Sequence, residues 1–146
     1  MAGIDPTKII PGFAGKLYDL SGNFLSQIPK WQAQIAVTNT NYQPAGSAQE
    51  VGILQSYHVS LTMTETLITD DLLSTLLTAL KNNVQPVFNF QGLVERPDGA
   101  EGRYIFRTCV PQGNIDIANI QTGQILERAW SFDVNEVPDL QSLLTA

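Results

Sequence analysis

Apolar and polar residues alternate along two long stretches of the chain. Trp31, Ala33, Ile35 and Val37 alternate with Gln32, Gln34 and Thr38, and Tyr57, Val59, Leu61 and Met63 alternate with Ser56, His58, Ser60, Thr62 and Thr64. Successive side chains of an extended backbone point to opposite faces, so a period of two marks a half-buried strand. The pattern predicts two long strands in which Trp31, Ile35, Val37, Tyr57, Val59 and Leu61 pack on a core. Between them, Asn39 to Gly52 includes Pro44, Ala45, Gly46 and Ser47 and predicts a connection longer than a structural hairpin needs. Upstream, short apolar–polar runs from Lys16 to Gln27 flank Ser21-Gly22-Asn23, a turn signal, and predict a small hairpin.

At Thr69 the period changes. Leu72, Leu73, Leu76, Leu77 and Leu80 recur at helical spacing, which predicts one amphipathic helix with that leucine face toward the core. Thr69-Asp70-Asp71 supplies an N-cap and first-turn acids that suit the helix dipole. Lys81 suits its C-terminal end, Asn82 and Asn83 can take the left-handed capping conformation, and Pro86 blocks continuation. Strand periodicity then returns. Phe88, Phe90 and Val94 lead through Pro97-Asp98-Gly99 to Tyr104, Phe106, Thr108 and Val110, a second hairpin. Ile115 to Ile120 reads as a short strand, and a last strand carries Trp130, Phe132 and Val134 inward. About seven strands with one helix between them argue against a parallel doubly wound sheet. They predict a mainly β fold: a two-sheet antiparallel sandwich or barrel with one flanking amphipathic helix, in a single domain spanning 1–146.

Composition sharpens this. Only 15% of the 146 residues are charged, against roughly 25% in an ordinary globular domain. Much of the surface is therefore neutral and polar, which suits contact with other protein better than bulk water. The net charge of −6 disfavours attraction to nucleic-acid phosphates. No apolar run is long enough for a membrane-spanning helix. The N-terminal residues show no basic stretch feeding an apolar one, which predicts no secretory signal and folding in a cytoplasm.

The usual parts of an active site are missing. His58 is the only histidine and falls on the polar side of a strand, where a solvated or interface residue is expected rather than a base. Cys109, the only cysteine, sits mid-strand without a basic neighbour and is expected to be a packed thiol. Asp70 and Asp71 are neighbours in a helix's first turn, where they point apart. Gly99, Gly102, Gly113 and Gly123 fall between strands, and none opens a helix as a phosphate-binding loop must. These features predict no catalytic residues, no cofactor and no metal site, hence no enzyme.

One feature resists a bland surface. Trp31 to Leu80 contains no Lys or Arg, and between Trp31 and Thr64 the only formal charge is Glu50. Solvated ribbons normally carry charges that deter edge-to-edge association. Their absence predicts that the polar face either abuts further subunits or lines a passage along which a polyanion slides without sticking.

Three strings succeed one another in the second half: Gln85-Pro86-Val87-Phe88-Asn89-Phe90-Gln91-Gly92, then Cys109 to Ile117, then Trp130 to Asn135, followed by Pro138-Asp139-Leu140. With Lys16 to Gly22, these resemble the tail tube proteins of contractile phages, of the defective-prophage and tailocin type. The resemblance implies a structural subunit in rings of six, with inner strands joined into a ring-wide β-barrel and rings stacked into a hollow tube inside a sheath. The tube would be a conduit for DNA in a phage tail, built in the host cytoplasm, or part of a DNA-free tailocin. Implied partners are copies of the chain, the tail sheath protein, baseplate and tail terminator proteins, and a tape measure protein or transiting DNA, with no membrane. The resemblance makes 39–52 an inter-ring loop, with Asn41, Tyr42, Gln43, Pro44, Ala45, Gly46, Ser47 and Glu50 in contact with the next ring. It makes Met1 to Phe13 and Leu140 to Ala146 contact arms. If even-numbered residues of the long strands face inward, Gln32, Gln34, Ser56, His58, Ser60, Thr62 and Thr64 line the lumen. Glu95, Asp98 and Glu101 form an acidic hairpin tip available to a sheath. Two other classes remain open: a monomeric β-sandwich holding a ligand on Trp31, Tyr42 and Trp130, and a small enzyme with a deep polar pocket.

Overall fold

The computed structural model describes residues 6–10, 15–19, 22–25, 27–66 and 69–142. The proposed contact arms therefore lie partly outside the described residues. Among the described residues there are seven strands: β1 (Gly15–Asp19), β2 (Lys30–Tyr42), β3 (Val51–Thr66), β4 (Phe88–Glu95), β5 (Glu101–Pro111), β6 (Glu127–Val134) and β7 (Asp139–Ser142). Helix α1 (Asp71–Lys81) lies between β3 and β4. All pairings are antiparallel, in the order β1-β4-β5-β6-β3-β2 with β7 also on β5.

The expected two layers are halves of one hydrogen-bonded sheet. The edge of β5 opposite β4 is shared: Arg103–Ile105 pairs with β7 and Cys109–Pro111 with β6. Through that short β5–β6 junction the sheet folds back on itself, so that β2, at one end of the strand order, lies over β4 and β5. Trp31 of β2 has its ring centroid 6.3 Å from that of Phe106, and a Cβ built on Gly92 of β4 would fall 2.6 Å from the Trp31 ring. Gly92 is thus required by close approach. Phe88, Phe90, Trp130 and Phe132 fill the centre with mutual ring contacts of 5.3–6.2 Å.

Helix α1 contributes Leu73 and Leu76 to the core, with Leu72 and Leu77 packed partly buried against it. Leu80, expected on the same face, is 54% exposed. It lies in the last turn, where the chain leaves the core: Asn83 takes φ 53°, and Val84 N–H and Asn83 N–H donate to the carbonyls of Ala79 and Leu80. That is a Schellman closure on an asparagine. At the other end the N-cap is Asp70 rather than Thr69, and no side chain caps the helix. Asp70 instead reaches Arg128 Nη2, at 3.4 Å.

In β5 the predicted alternation breaks. Phe88 pairs with Cys109 but Phe90 with Phe106, so β5 carries an extra residue. At this bulge Thr108 takes φ 55° and its N–H donates to Asn89 Oδ1 at 3.0 Å. The inward phase passes from Phe106 to Cys109, leaving Thr108 and Val110 only half-buried. Cys109 is fully buried, and loss of solvent pushes its thiol up to about 12. Ile115 to Ile120 is irregular rather than a strand.

Candidate functional site

Three of the seven strands make the unusual surface. β2 pairs with β3 along its whole length, from Lys30↔Thr64 to Tyr42↔Val51, whereas β6 covers β3 only from Val59 to Thr66. Beyond Val59 the hairpin projects from the body. Residues 32–42 and 51–58 are exposed on both faces. Ile35, Val37 and Tyr57, expected in the core, are 58, 56 and 53% exposed. Their alternation is real, but among the described residues no other strand or helix reaches that far. On these two strands only Val59, Leu61, Met63 and Glu65, at the root, are buried.

The strands also take in both ends of the expected loop. β2 continues to Tyr42 and β3 begins at Val51, so Asn39, Thr40, Asn41, Tyr42, Val51 and Gly52 are strand residues and the connection is 43–50. Thr and Tyr favour strands, and the paired backbone bonds continue once the register has shifted at Thr38/Asn39. Gln55 is the extra residue there, and Thr40 Oγ1 donates to Gln55 Oε1 at 3.0 Å. The shift carries Val51 and Ile53 onto the polar face beside Tyr42, and Leu54 onto the apolar face. At the tip Gly46 takes φ 80°, Ser47 N–H donates to the Pro44 carbonyl, and Gln43 Nε2 donates to the Ser47 carbonyl.

The register brings Gln32, Gln34, Ser56, His58, Ser60, Thr62 and Thr64 onto one face, since Gln32↔Thr62, Gln34↔Ser60 and Thr38↔Ser56 are direct partners. The same face continues onto β6 through Ser60↔Asp133, Thr62↔Ser131 and Thr64↔Ala129. His58 Nε2 lies 3.0 Å from Asp133 Oδ1. Ser131 and Asp133 were missed by sequence reasoning. The signal was present, as they are the polar positions alternating with Trp130, Phe132 and Val134. Lys30, Gln32, Thr62, Gln112, Asn114 and Ser131 border a depression of about 290 Å³ at the root of this face.

A second group was also missed. Glu65 and Arg128, paired across β3 and β6, occupy the inward phase and are 0% and 2% exposed. Arg128 Nη1 donates to Glu65 Oε1 at 3.1 Å, and so does Trp130 Nε1 at 3.2 Å. Arg128 also donates through Nε to the Asp116 carbonyl at 2.6 Å and through Nη2 to the Ile117 carbonyl at 3.0 Å. Bonded this way in the interior, Arg128 fastens the irregular 112–126 segment to the sheet, while among the described residues Glu65 Oε2 has no hydrogen-bond partner.

The remaining candidates separate. Trp130 is buried and Trp31 covers Gly92, while Tyr42 stands exposed near the far tip, so these aromatics form no common ligand surface. At the β4–β5 hairpin tip Arg96 pairs with Asp98 at 3.3 Å and Arg103 with Glu101 at 3.6 Å, so two of the three acids expected there have an arginine partner. Among the described residues no three His, Cys, Asp or Glu side chains cluster as a metal site, and no helix is long and apolar enough to cross a membrane.

Fold and surface define a mainly β subunit whose longest hairpin has no Lys or Arg beyond Lys30 at its root and, among the described residues, lacks cover over its outer half. A family model described as phage tail tube protein matches residues 3–140, and the chain belongs to that family. Its fold is similar to a chain in the PVC sheath–tube complex of an extracellular contractile injection system, with a TM-score of 0.69, 9% identity and coverage of 92% of this chain and 93% of that one. It is similar to a chain in the anti-feeding prophage tube-terminating cap, with a TM-score of 0.71, 10% identity and coverage of 98% and 95%. A chain in the virion of a native gene transfer agent gives a TM-score of 0.57 at 11% identity, with 90% and 98% covered. A search of curated proteins finds no match.

Proposed function

We propose that the chain polymerises into the hollow tube of a contractile tail, six copies to a ring and ring upon ring, and performs no catalysis. The observation that carries this reading is the hairpin 32–42 and 51–58, exposed on both faces and without Lys or Arg. Apolar side chains on one face require a cover, and both strand edges offer unpaired backbone groups. Neighbouring copies supply both by joining hairpins side by side into a continuous barrel. The face bearing Gln32, Gln34, Ser56, His58, Ser60, Thr62 and Thr64, extended by Ser131 and Asp133, then lines the lumen. Apart from Lys30 at its root, a wall of hydroxyls, amides and a His–Asp pair gives phosphate no fixed cation to hold.

The tip, with Tyr42, Gly46 and Glu50, reaches the adjoining ring, where exposed Val51 and Ile53 find protein contact. The residues outside the hairpin, where the ion pairs concentrate, face a sheath. The neighbours in a sheath–tube complex and a tube cap support sheath, baseplate and terminator proteins as partners, with the particle as the place of residence. DNA or a tape measure protein occupies the lumen in a phage tail, and neither DNA nor its wall contacts are needed in a tailocin. Size measurement and negative-stain imaging of the purified chain test the reading. Rings or hollow rods of this polypeptide alone are expected; a chain that stays monomeric at every concentration, with or without its baseplate, overturns it.

A further inference from the structure

Besides the hairpin, the described chain exposes a second apolar element with little charge. Ile117, Ile120 and Ile125 in the segment between β5 and β6 are 65, 75 and 78% exposed, and Asp116 is the only charged residue from Pro111 to Leu126. An irregular segment presenting three isoleucines to water would ordinarily collapse or fray. This one is fixed at its root, because buried Arg128 holds the carbonyls of Asp116 and Ile117. A buried guanidinium is a costly anchor, and here it presents an apolar surface in a set position.

We propose that this segment of one copy packs against the apolar hairpin face of the next, with Ile117, Ile120 and Ile125 seated on Ile35, Val37 and Tyr57. The proposal rests on the tube reading and names the surfaces that join its subunits. Two arguments select this pairing. A ring or helical stack needs a contact between two different patches, since a patch that meets its own copy closes a dimer and stops growth. The hairpin face and the isoleucine segment each expose several branched or aromatic side chains with almost no formal charge nearby, Asp116 alone in the segment, and the core of a protein interface excludes charge. The hairpin face is extended, and the irregular segment can cover it with three branched side chains.

Cysteine cross-linking tests the contact, because the native Cys109 is buried and does not react. Val37→Cys or Tyr57→Cys chains are mixed with Ile117→Cys, Ile120→Cys or Ile125→Cys chains and treated with a short bis-maleimide, and the same samples are imaged. The expected result is covalent pairs in the mixtures, ladders in a chain carrying Val37→Cys and Ile120→Cys together, and only monomers from each single variant. Ile120→Asp is expected to abolish rods while its monomer unfolds at the wild-type midpoint. Rods without cross-links from any mixture overturn this contact and leave the tube reading standing. Single variants that cross-link to themselves overturn it in favour of a symmetric pair. Absence of both rods and cross-links, with or without the baseplate, overturns this contact and the tube reading together.

Discussion

Arg128 combines roles that a surface arginine never takes on. Its guanidinium is 2% exposed, bonded to Glu65 and to two carbonyls of the isoleucine segment. Removing one member of a buried pair leaves the other uncompensated, at a cost of about 3–5 kcal/mol. Arg128→Met is therefore expected to lower the free energy of unfolding in urea by that amount. Adding Glu65→Leu should return only part of it, since the Asp116 and Ile117 carbonyls remain without their donor. Full recovery would mean that the segment is not held by Arg128. Cys109 gives a pH prediction. Its folded-state value lies near 12 against an ordinary 9.0, so above pH 9 the unfolded chain sheds a proton that the folded chain retains. Stability is then intact below pH 9 and falls as pH rises toward 12. Cys109→Ala is expected to remove that slope, and thiol reagents should label the native protein only on unfolding. The packed thiol was legible in the sequence from its mid-strand setting. Glu65 and Arg128 were legible only as charges out of phase with their strands, because nothing in the sequence gives the register that makes them partners.

The elements show where periodicity suffices and where it fails. The leucine spacing located α1, and Leu76, in the core, should cost about 2–5 kcal/mol as alanine. Leu80→Ala, at an exposed position of the same predicted face, is expected within about 0.5 kcal/mol of wild type; a matching loss at both would show that the last turn is packed. Periodicity cannot count an inserted residue, so the bulge that turns Cys109 inward in place of Thr108 was illegible, as was the shift that carries Val51 and Ile53 to the polar face. Close approach across layers is equally silent in a sequence. At Gly92 a methyl would strike the Trp31 ring, and overpacking of that kind costs about 1–3 kcal/mol. Gly92→Ala is expected to lose that much by denaturant titration, and Trp31→Leu, by vacating the space, should make the same change nearly neutral. Equal losses in both backgrounds would place the constraint elsewhere.

Across the whole molecule, the long hairpin is where the amino-acid pattern was both most informative and most misleading. Its alternation gave the strands and their shared polar face. It also implied a core under Ile35, Val37 and Tyr57 that this chain does not supply. The two facts agree once part of the fold is completed between chains: an apolar stripe written into the sequence records a partner, and the pattern alone does not say whether that partner is the same molecule. Charge distribution makes the same division. Arg96, Arg103 and Arg107 pair with acids on the β4, β5 and β7 side, while β2 and β3 carry no cation between Trp31 and Thr64. Selection against Lys and Arg on a solvated strand has a physical cause if phosphate passes by, because each fixed cation releases counterions on binding and so holds the chain it touches. His58→Lys with Thr62→Lys adds two such cations to an exposed face where the native residues support no packing. Repeated around each ring and along the stack of the proposed tube, they would form continuous basic stripes. Assembly and monomer stability are expected to be unchanged, while DNA delivery by particles built from the variant slows or stops, with the loss relieved at high salt. Normal delivery at low salt by intact doubly substituted tubes would exclude this face from the channel.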